Sequence, residues 1–172
     1  LADKIIVNSY EFKKDLKKEF HVNSICIYNP LDKKIIIKQS KKKIKKIFNR
    51  NTLKIINVGR FVDQKDQFTL LRALNEIKNK INFNAIIIGR GILKDKLKDF
   101  ILQNKLINLV KLINFKKNPY PYIVQSDIFV LSSSFEGLPN VLLEALVLNK
   151  FVISSDCRTG PKEILLNGIG GD

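Results

Sequence analysis

The sequence has 172 residues and a mass of 19.8 kDa, enough for one good-sized domain with little room for a second. With 45% hydrophobic and 27% charged residues, its composition excludes a disordered tail, a collagen-like repeat and a disulfide-built miniprotein. Thirty-one Lys and Arg against 16 Asp and Glu give a formal charge of +15. Nucleic acid, an anionic membrane surface and a phosphorylated ligand are therefore all candidate partners.

The first fifty residues hold short elements and much of the excess positive charge. Residues 5–7 predict a strand, 10–20 a charged helix, and 25–28 a strand that ends at an Asn-Pro turn. Between Lys33 and Lys46 there are eight Lys and no acid, which predicts a basic loop with at most one helix. This stretch is either a solvated face or a surface for anionic lipid or nucleic acid. A composition biased towards Lys, Ile and Asn accounts for it without any partner.

From residue 53 onward, strands and helices alternate regularly. Apolar, often β-branched runs predict strands at 53–58, 85–88, 109–113, 128–131 and 151–154. Helices are predicted at 68–77, 93–101 and 141–148, with shorter ones beginning near Pro119 and Pro161. Continuous apolar runs indicate strands buried on both faces, so the predicted fold class is α/β with a doubly wound parallel sheet. Such sheets bind ligands beyond the carboxyl ends of their strands, where three segments are unusual.

The first unusual segment is Asn57-Val-Gly-Arg60, with Lys65 five residues further on. Gly59 lets the backbone approach a ligand closely. Arg60 offers a planar fork of donors that suits phosphate oxygens, and Lys65 offers a mobile point charge. Together these cations can neutralise a diphosphate. The alternative is that both are ordinary surface cations.

The second segment, Ile88-Gly-Arg-Gly91, contains a G-x-G pattern after a strand. The dinucleotide fingerprint needs a third glycine, but Lys94 occupies that position, and no acid follows at the expected distance. A tight turn at the edge of a pocket is therefore the favoured interpretation.

The third segment, residues 132–146, is the most specific. A strand ends in three Ser, a loop with Glu136 and Gly137 follows, and a helix begins near Pro139 or Asn140. Pro suits a first helical turn and Asn suits an N-cap, so the free amides there predict an anion site. Glu144 is the only charged residue between 141 and 148, so it needs a partner or solvent. A ribose diol fits it, and an exposed polar stripe is the alternative.

The remaining polar residues predict little chemistry. Glu163 falls in the first turn of its own helix, where it suits the helix dipole. Cys157 has no His nearby in sequence to activate it as a nucleophile, and His21 is expected to be exposed. Two widely separated cysteines indicate a reducing compartment. No spacing typical of metal ligands occurs.

Taken together, these segments resemble the nucleotide-sugar-binding, C-terminal half of a retaining family-four glycosyltransferase of the GT-B fold, which pairs two Rossmann-like domains. Residues 57–60 with Lys65 resemble the diphosphate-binding loop, and Glu136 with Glu144 fits the E-x7-E motif. Residues 1–9 resemble the end of the N-terminal, acceptor-side domain or the crossover. Residues 10–172 then form the donor domain, incomplete at its C-terminus.

The resemblance implies roles for individual side chains. Arg60 and Lys65 hold the donor diphosphate and stabilise its charge as the glycosidic bond breaks, so they and Glu136 are the predicted catalytic residues. Glu136 binds hydroxyls of the donor sugar, and Glu144 binds the ribose. The loop around Phe115 contacts the base. UDP-sugar is the first choice of donor, with GDP- and ADP-sugar as alternatives, and neither a metal nor another cofactor is expected.

The resemblance also implies a backbone cradle for the phosphate and sugar. Its amides come from Gly137, Leu138, Asn140 and Val141, while Gly59 allows close approach in the opposite loop. Pro139 cannot donate a hydrogen bond, which removes one amide from this cradle.

Residues 155–164 are similar to bacterial transferases of surface-glycan assembly, including N-acetylhexosamine transferases that extend lipid-linked oligosaccharides. The resemblance implies transfer of a hexose or N-acetylhexosamine to a glycan or polyprenyl-linked acceptor. It also implies a cytoplasmic enzyme, peripheral at the anionic inner face of a bacterial membrane. Without the acceptor domain, we expect this chain to bind a nucleotide weakly and transfer nothing. The alternatives are a nucleotide-sugar epimerase of the same fold and a basic module for membranes or nucleic acid. No aromatic interrupts residues 33–46, so we expect no nucleic-acid partner.

Overall fold

A computed structural model describes residues 3–169. The strands are β1 (Ile6–Val7), β2 (Ile25–Cys26), β3 (Leu53–Val58), β4 (Phe83–Gly89), β5 (Val110–Asn114), β6 (Ile128–Leu131) and β7 (Phe151–Ser154). The α-helices are α1 (Tyr10–Phe20), α2 (Lys33–Ser40), α3 (Gln67–Ile77), α4 (Lys94–Gln103), α5 (Tyr120–Val124), α6 (Asn140–Val147) and α7 (Pro161–Ile164). Two 3-10 turns lie at Asp63–Lys65 and Leu166–Gly168.

Five strands form one parallel sheet in the order β5-β4-β3-β6-β7, which confirms the predicted α/β fold class. The predicted bounds of β3, β6 and β7 are also confirmed. The first two strands are shorter than predicted and pair with each other, in parallel, as a separate two-stranded sheet. The chain order reverses direction at β3, so the ends of β3 and β6 lie at the switch point where ligands of such sheets bind.

The sheet is buried on both faces because its strands carry apolar side chains in continuous runs. On β4, Ile87 packs into one core with helices α3 and α4, whereas Ile86 and Ile88 pack into a second core with α5 and α6. All three Ile side chains are fully buried. This alternation along one strand is the direct cause of the doubly wound architecture.

The Lys-rich stretch does contain one helix, α2, which lies against α5 and α6. Only Ile36 of this helix is buried, and all eight Lys between 33 and 46 are exposed. Among residues 3–169, no helix combines the length and apolar character needed to cross a bilayer.

The carboxyl ends of β3 and β4 approach each other closely. The amide of Gly59 donates to the carbonyl of Ile88 at 3.0 Å. A Cβ placed on Gly89 would lie 1.9 Å from the carbonyl oxygen of Gly59 and 2.6 Å from the ring of Phe61. Gly91, at φ 154°, lies against the backbone of Phe61. The G-x-G segment is therefore a tight turn whose glycines are required by packing.

We expect Gly89→Ala to destabilise the fold by about 3 kcal/mol, because the added methyl group cannot be accommodated without moving backbone. Gly59→Ala is the matched control, since its added Cβ would lie 3.5 Å or more from its neighbours. Neither glycine has a positive φ, so contact alone distinguishes the two variants. Urea unfolding midpoints measure the difference. Equal stability of the two variants would contradict the close approach.

Candidate functional site

A cleft of about 650 Å³ opens at the carboxyl ends of β3 and β4 and beside the N-terminus of α6. The loops after β2, β3, β4, β5 and β6 and the helices α5 and α6 contribute to it, and nine of the ten predicted site residues line it. These nine are Gly59, Arg60, Lys65, Phe115, Glu136, Leu138, Asn140, Val141 and Glu144. The tenth, Gly137, is not a lining residue, because it packs against Asn8 and Gly160.

Lys65 and Glu136 form a buried ion pair on one wall of the cleft. The Lys65 Nζ contacts Oε1 of Glu136, and the two side chains are only 16% and 6% exposed. The hydroxyl of Ser133 donates to the same carboxylate oxygen at 2.6 Å. An anion in the cleft would therefore compete with Glu136 for the charge of Lys65. The pairing could not be read from the sequence, because the two residues are 71 positions apart.

Backbone contacts reinforce this wall by joining the loop after β3 to the loop after β6. The Ser132 hydroxyl donates to the carbonyl of Lys65 at 3.1 Å. The amide of Ser134 donates to the carbonyl of Gln64 at 2.8 Å. The carbonyl of Glu136 accepts a hydrogen bond from the hydroxyl of Thr159. The ion pair is thus supported from both sides by fixed backbone.

Arg60 differs from Lys65 in that its guanidinium is exposed. Its Nη2 donates to Oε1 of Gln64 at 3.1 Å, and Gln64 donates in turn to the carbonyl of Phe135 at 3.0 Å. The carbonyl of Arg60 accepts from the buried side chain of Gln67 at 2.9 Å. The backbone of Arg60 is therefore held in place while its charged end can reach an anion in the cleft.

The carboxylate of Glu144 accepts a hydrogen bond from another side chain of the protein. The hydroxyl of Tyr120 donates to Oε1 of Glu144 at 3.1 Å, and both side chains line the cleft half-buried. Burial raises the pKa of the Glu144 carboxyl, and the hydrogen bond from Tyr120 opposes this by a smaller amount. Burial, together with the charge of Glu144, raises the pKa of Tyr120 to about 12. The alternative of an exposed polar stripe is therefore wrong for Glu144.

The N-terminus of α6 is arranged differently from the sequence-based expectation. The helix begins at Asn140, so Pro139 and not Asn140 occupies the N-cap position, and no side chain caps it. The Oδ1 of Asn140 instead accepts from the side-chain Nδ2 of Asn29 at 2.8 Å. Asn29 also lines the cleft, which the sequence analysis missed because this residue follows β2, outside the five-stranded sheet.

Three further cations, Arg90, Lys116 and Lys117, line the cleft. The guanidinium of Arg90 lies over the ring of Phe115 at 4.7 Å from its centroid. Lys116 and Lys117 follow Phe115 in the same loop. Five cations and two carboxylates therefore line the cleft, which makes it favourable for a ligand with more than one negative charge.

Glu163 lies in the first turn of its own helix, α7, as predicted, and its carboxylate also contacts α1. Its carboxylate accepts from the backbone amides of Tyr10 at 3.0 Å and Glu11 at 3.3 Å, so it caps the N-terminus of α1. It also accepts from the hydroxyl of Tyr28, whose pKa this hydrogen bond raises to about 12. Glu11 in turn accepts from the amide of Gly160 at 3.3 Å. Helices α1 and α7 thus cap each other.

Comparisons with known proteins agree on one family. The family model described as glycosyl transferases group 1 matches residues 38–171. An uncharacterized glycosyltransferase of Methanocaldococcus jannaschii is 39% identical over 95% of this chain and 42% of its own length. The Campylobacter jejuni N-acetylgalactosamine-N,N'-diacetylbacillosaminyl-diphospho-undecaprenol 4-alpha-N-acetylgalactosaminyltransferase is 32% identical over 95% of this chain and 44% of its own. The chain therefore spans less than half the length of these curated relatives.

A solved structure shares the fold. A mutant of Staphylococcus aureus TarM, crystallised with fondaparinux, alpha-GlcNAc-glycerol and UDP, superposes on this chain with a TM-score of 0.80. The identity is 22%, and the superposition covers 94% of this chain and 31% of TarM. At that identity the likeness shows the fold alone.

We expect Lys65→Met to destabilise the protein by about 3–5 kcal/mol, because it leaves the buried carboxylate of Glu136 without its cation. Lys98→Met is the matched control. Lys98 pairs with Asp95 at 3.0 Å, but the side chains are 51% and 86% exposed, so its loss costs about 0.5 kcal/mol or less. Adding Glu136→Gln to Lys65→Met should restore much of the lost stability. Similar unfolding midpoints for the two single variants would show that the Lys65 pair is not buried.

Proposed function

Since the chain belongs to the group 1 glycosyl transferases, we propose that its cleft binds a nucleotide-diphosphate sugar as glycosyl donor. The observation that carries this proposal is the convergence of nine predicted donor-binding residues, from segments spread over 86 residues of sequence, on one cationic cleft at the switch point of the sheet. In the whole protein, the donor's hexose or N-acetylhexosamine is transferred to an acceptor with retention of its anomeric configuration.

The diphosphate is bound by Arg60 and Lys65. Both cations come from the loop after β3, and the exposed guanidinium can form two parallel hydrogen bonds to phosphate oxygens. When the bond between sugar and phosphate breaks, negative charge develops on the diphosphate, and these two cations stabilise it. The same charge stabilisation makes the nucleotide diphosphate a better leaving group.

Glu136 binds hydroxyls of the donor sugar. Its direct contact with Lys65 matters here, because a carboxylate for sugar hydroxyls and a cation for phosphate must be adjacent when the sugar is attached to the phosphate. The free amides of Asn140 and Val141, at the positive end of α6, support the phosphate from the other side. Leu138 supplies a further amide to this cradle, and the role foreseen for Gly137 stays a prediction.

The nucleoside lies in the part of the cleft that Glu144 and Phe115 line. Glu144 accepts hydrogen bonds from the ribose, and Phe115 contacts the base beneath or beside Arg90. We propose uridine as the base, with guanosine and adenosine as alternatives. The UDP bound by TarM, a protein of the same fold, supports this choice. The expectation that the reaction needs no metal stays a prediction.

The acceptor is a surface glycan or a lipid-linked oligosaccharide. Support comes from the name of the Campylobacter jejuni relative, which describes an N-acetylgalactosaminyltransferase acting on a diphospho-undecaprenol-linked substrate. The division at residue 9 into an acceptor-side segment and a donor domain belongs to the same proposal. Because the acceptor would be bound by the other domain, this chain alone is expected to bind donor and to transfer no sugar.

Calorimetric titration with UDP, GDP and ADP at physiological salt tests donor binding. We expect one nucleotide to bind best and Glu144→Ala to weaken that nucleotide about tenfold or more, because two hydrogen bonds to a charged acceptor are lost. Glu76→Ala is the control, since Glu76 is an exposed glutamate of α3 that does not line the cleft. Equal binding of all three nucleotides, with no change in Glu144→Ala, would show that the cleft binds anions nonspecifically and would contradict the proposal.

We also propose that the eight exposed Lys between 33 and 46 hold the enzyme at an anionic membrane surface. Each Lys near such a surface contributes about 1 kcal/mol. Replacing Lys41, Lys42 and Lys43 with Gln should lower binding to vesicles containing anionic phosphatidylglycerol about tenfold or more, without affecting neutral vesicles. The control replaces Lys14, Lys17 and Lys18 of α1 in the same way. Equal binding of the unchanged chain to neutral and anionic vesicles would contradict the proposal.

A further inference from the structure

Tyr120 lies in the cleft in direct contact with Glu144, yet neither the sequence motifs nor the proposed function gives it a role. It is the first residue of α5, which follows the loop that carries Phe115. Its hydroxyl donates to Oε1 of Glu144 at 3.1 Å across 24 positions of sequence. A bulky aromatic that touches a ligand-binding carboxylate from the neighbouring helix is placed to control how that carboxylate meets its ligand.

The position of Tyr120 is well determined. Its backbone amide donates to Oδ1 of Asn118 at 3.2 Å, and the preceding Pro119 fixes the backbone where the helix begins. Its ring packs against the core formed by α5, α6 and the sheet, which includes the fully buried Ile123. A tyrosine has only two side-chain torsions, so a packed ring leaves its hydroxyl at nearly one place.

Glu144, by contrast, is intrinsically adjustable, because a glutamate has three side-chain torsions. Asn140, one turn earlier in α6, uses its Oδ1 to accept from Asn29, and the other residues between 141 and 148 are apolar. Among the described residues, none of these side chains donates to the Glu144 carboxylate. Among the described residues, Tyr120 is the donor to Oε1, and Oε2 receives no hydrogen bond. An ionised carboxylate has about four acceptor positions, so roughly three remain for a ligand once Tyr120 has taken one.

We propose that Tyr120 is a positioning residue that orients the carboxylate of Glu144 so that its remaining acceptor positions meet both hydroxyls of a ribose cis-diol. This inference rests on the proposed function and adds the chemical class that the site selects: a nucleoside diphosphate with both the 2′- and 3′-hydroxyls intact. A carboxylate that rotated freely would bind a ribose that has one of these hydroxyls about as well as a ribose that has both. The hydrogen bond from Tyr120 thereby converts a general acceptor into one specific for the diol.

The phenol is suited to this task because it stays a donor. With its pKa raised to about 12, Tyr120 keeps its proton at every physiological pH, and its hydrogen bond favours the ionised form of Glu144. Five cations also face this cleft, namely Arg60, Lys65, Arg90, Lys116 and Lys117, with Glu136 as the second carboxylate. None of these has a hydrogen bond to Glu144 among the described residues, so the orienting contact is that of Tyr120.

The test compares UDP with 2′-deoxy-UDP and 3′-deoxy-UDP, titrated into the chain and into Tyr120→Phe. The phenylalanine keeps the ring and its packing and removes only the hydroxyl. We expect the unchanged chain to prefer UDP to either deoxy analogue by about tenfold. In Tyr120→Phe, UDP affinity should fall about three- to tenfold while the affinity for both analogues changes by less than about twofold, so the preference largely disappears.

Two controls separate positioning from structure. Tyr122→Phe makes the same change two residues along the same helix, at a side chain that does not line the cleft, and should leave the preference intact. Glu144→Gln should abolish the preference, and adding Tyr120→Phe to it should have no further effect on the UDP-to-deoxy ratio. A tyrosine that only stabilised the fold would weaken all three ligands by the same factor.

The outcomes also distinguish this inference from the proposed function. If the unchanged chain prefers UDP and Tyr120→Phe keeps that preference, the inference is wrong and the donor site stands. If Tyr120→Phe weakens UDP and its analogues equally, the positioning role is likewise contradicted. If the unchanged chain does not distinguish UDP from its analogues, the ribose role of Glu144 fails together with the inference. If no nucleotide binds at all, the proposed function itself fails.

Discussion

The buried contact between Lys65 and Glu136 is the interaction on which the cleft depends. It joins the loop after β3 to the loop after β6, two adjacent strands of the parallel sheet. A charge pair removed from water stabilises a structure only when its remaining hydrogen-bonding groups are also satisfied. Here the hydroxyl of Ser133 donates a hydrogen bond to the carboxylate of Glu136, and the hydroxyl of Ser132 donates one to the carbonyl of Lys65. The site is therefore preorganised by the same contacts that hold the two loops together.

From this pair, contacts extend to the N-terminal part of the chain. Thr159 binds the carbonyl of Glu136, and the adjacent Gly160 donates to Glu11 of α1. Arg158 pairs with two acids of the same helix, at 3.1 Å in the case of Asp15. The carboxylate of Glu163 accepts from the backbone amide of Tyr10 and so caps the N-terminus of α1. The small β1–α1–β2 unit is consequently attached to the loop that carries Glu136. A displacement of α1 would therefore move that loop and change the shape of the cleft.

Much of the fold followed from local patterns, because a continuous apolar run determines a buried parallel strand almost by itself. The bounds of β3, β6 and β7 were predicted from such runs. Nine of the ten predicted site residues also line the cleft, because segments that follow parallel strands meet at one edge of the sheet. What the sequence could not reveal were pairings over long separations. The contacts of Lys65 with Glu136 and of Glu163 with α1 join residues 71 and more than 150 positions apart.

The errors have the same origin. Asparagine is a preferred N-cap residue, but the side chain of Asn140 forms a hydrogen bond with the distant Asn29 and not with its own helix. Tyr120 appeared only as part of a short helix, because nothing in a single sequence marks which aromatic will touch which carboxylate. Local propensity and motif spacing were overridden at these positions by packing between distant segments.

The most direct test of a nucleotide-diphosphate site in this cleft is an amide chemical-shift map of the chain titrated with UDP. We expect localised shifts at Gly59, Arg60, Phe115 and the first turn of α6, with the exposed Lys between 33 and 46 unaffected. Shifts spread over that Lys-rich stretch, with none in the cleft, would show that the anion binds a diffuse basic surface and that the cleft is not a nucleotide-diphosphate site.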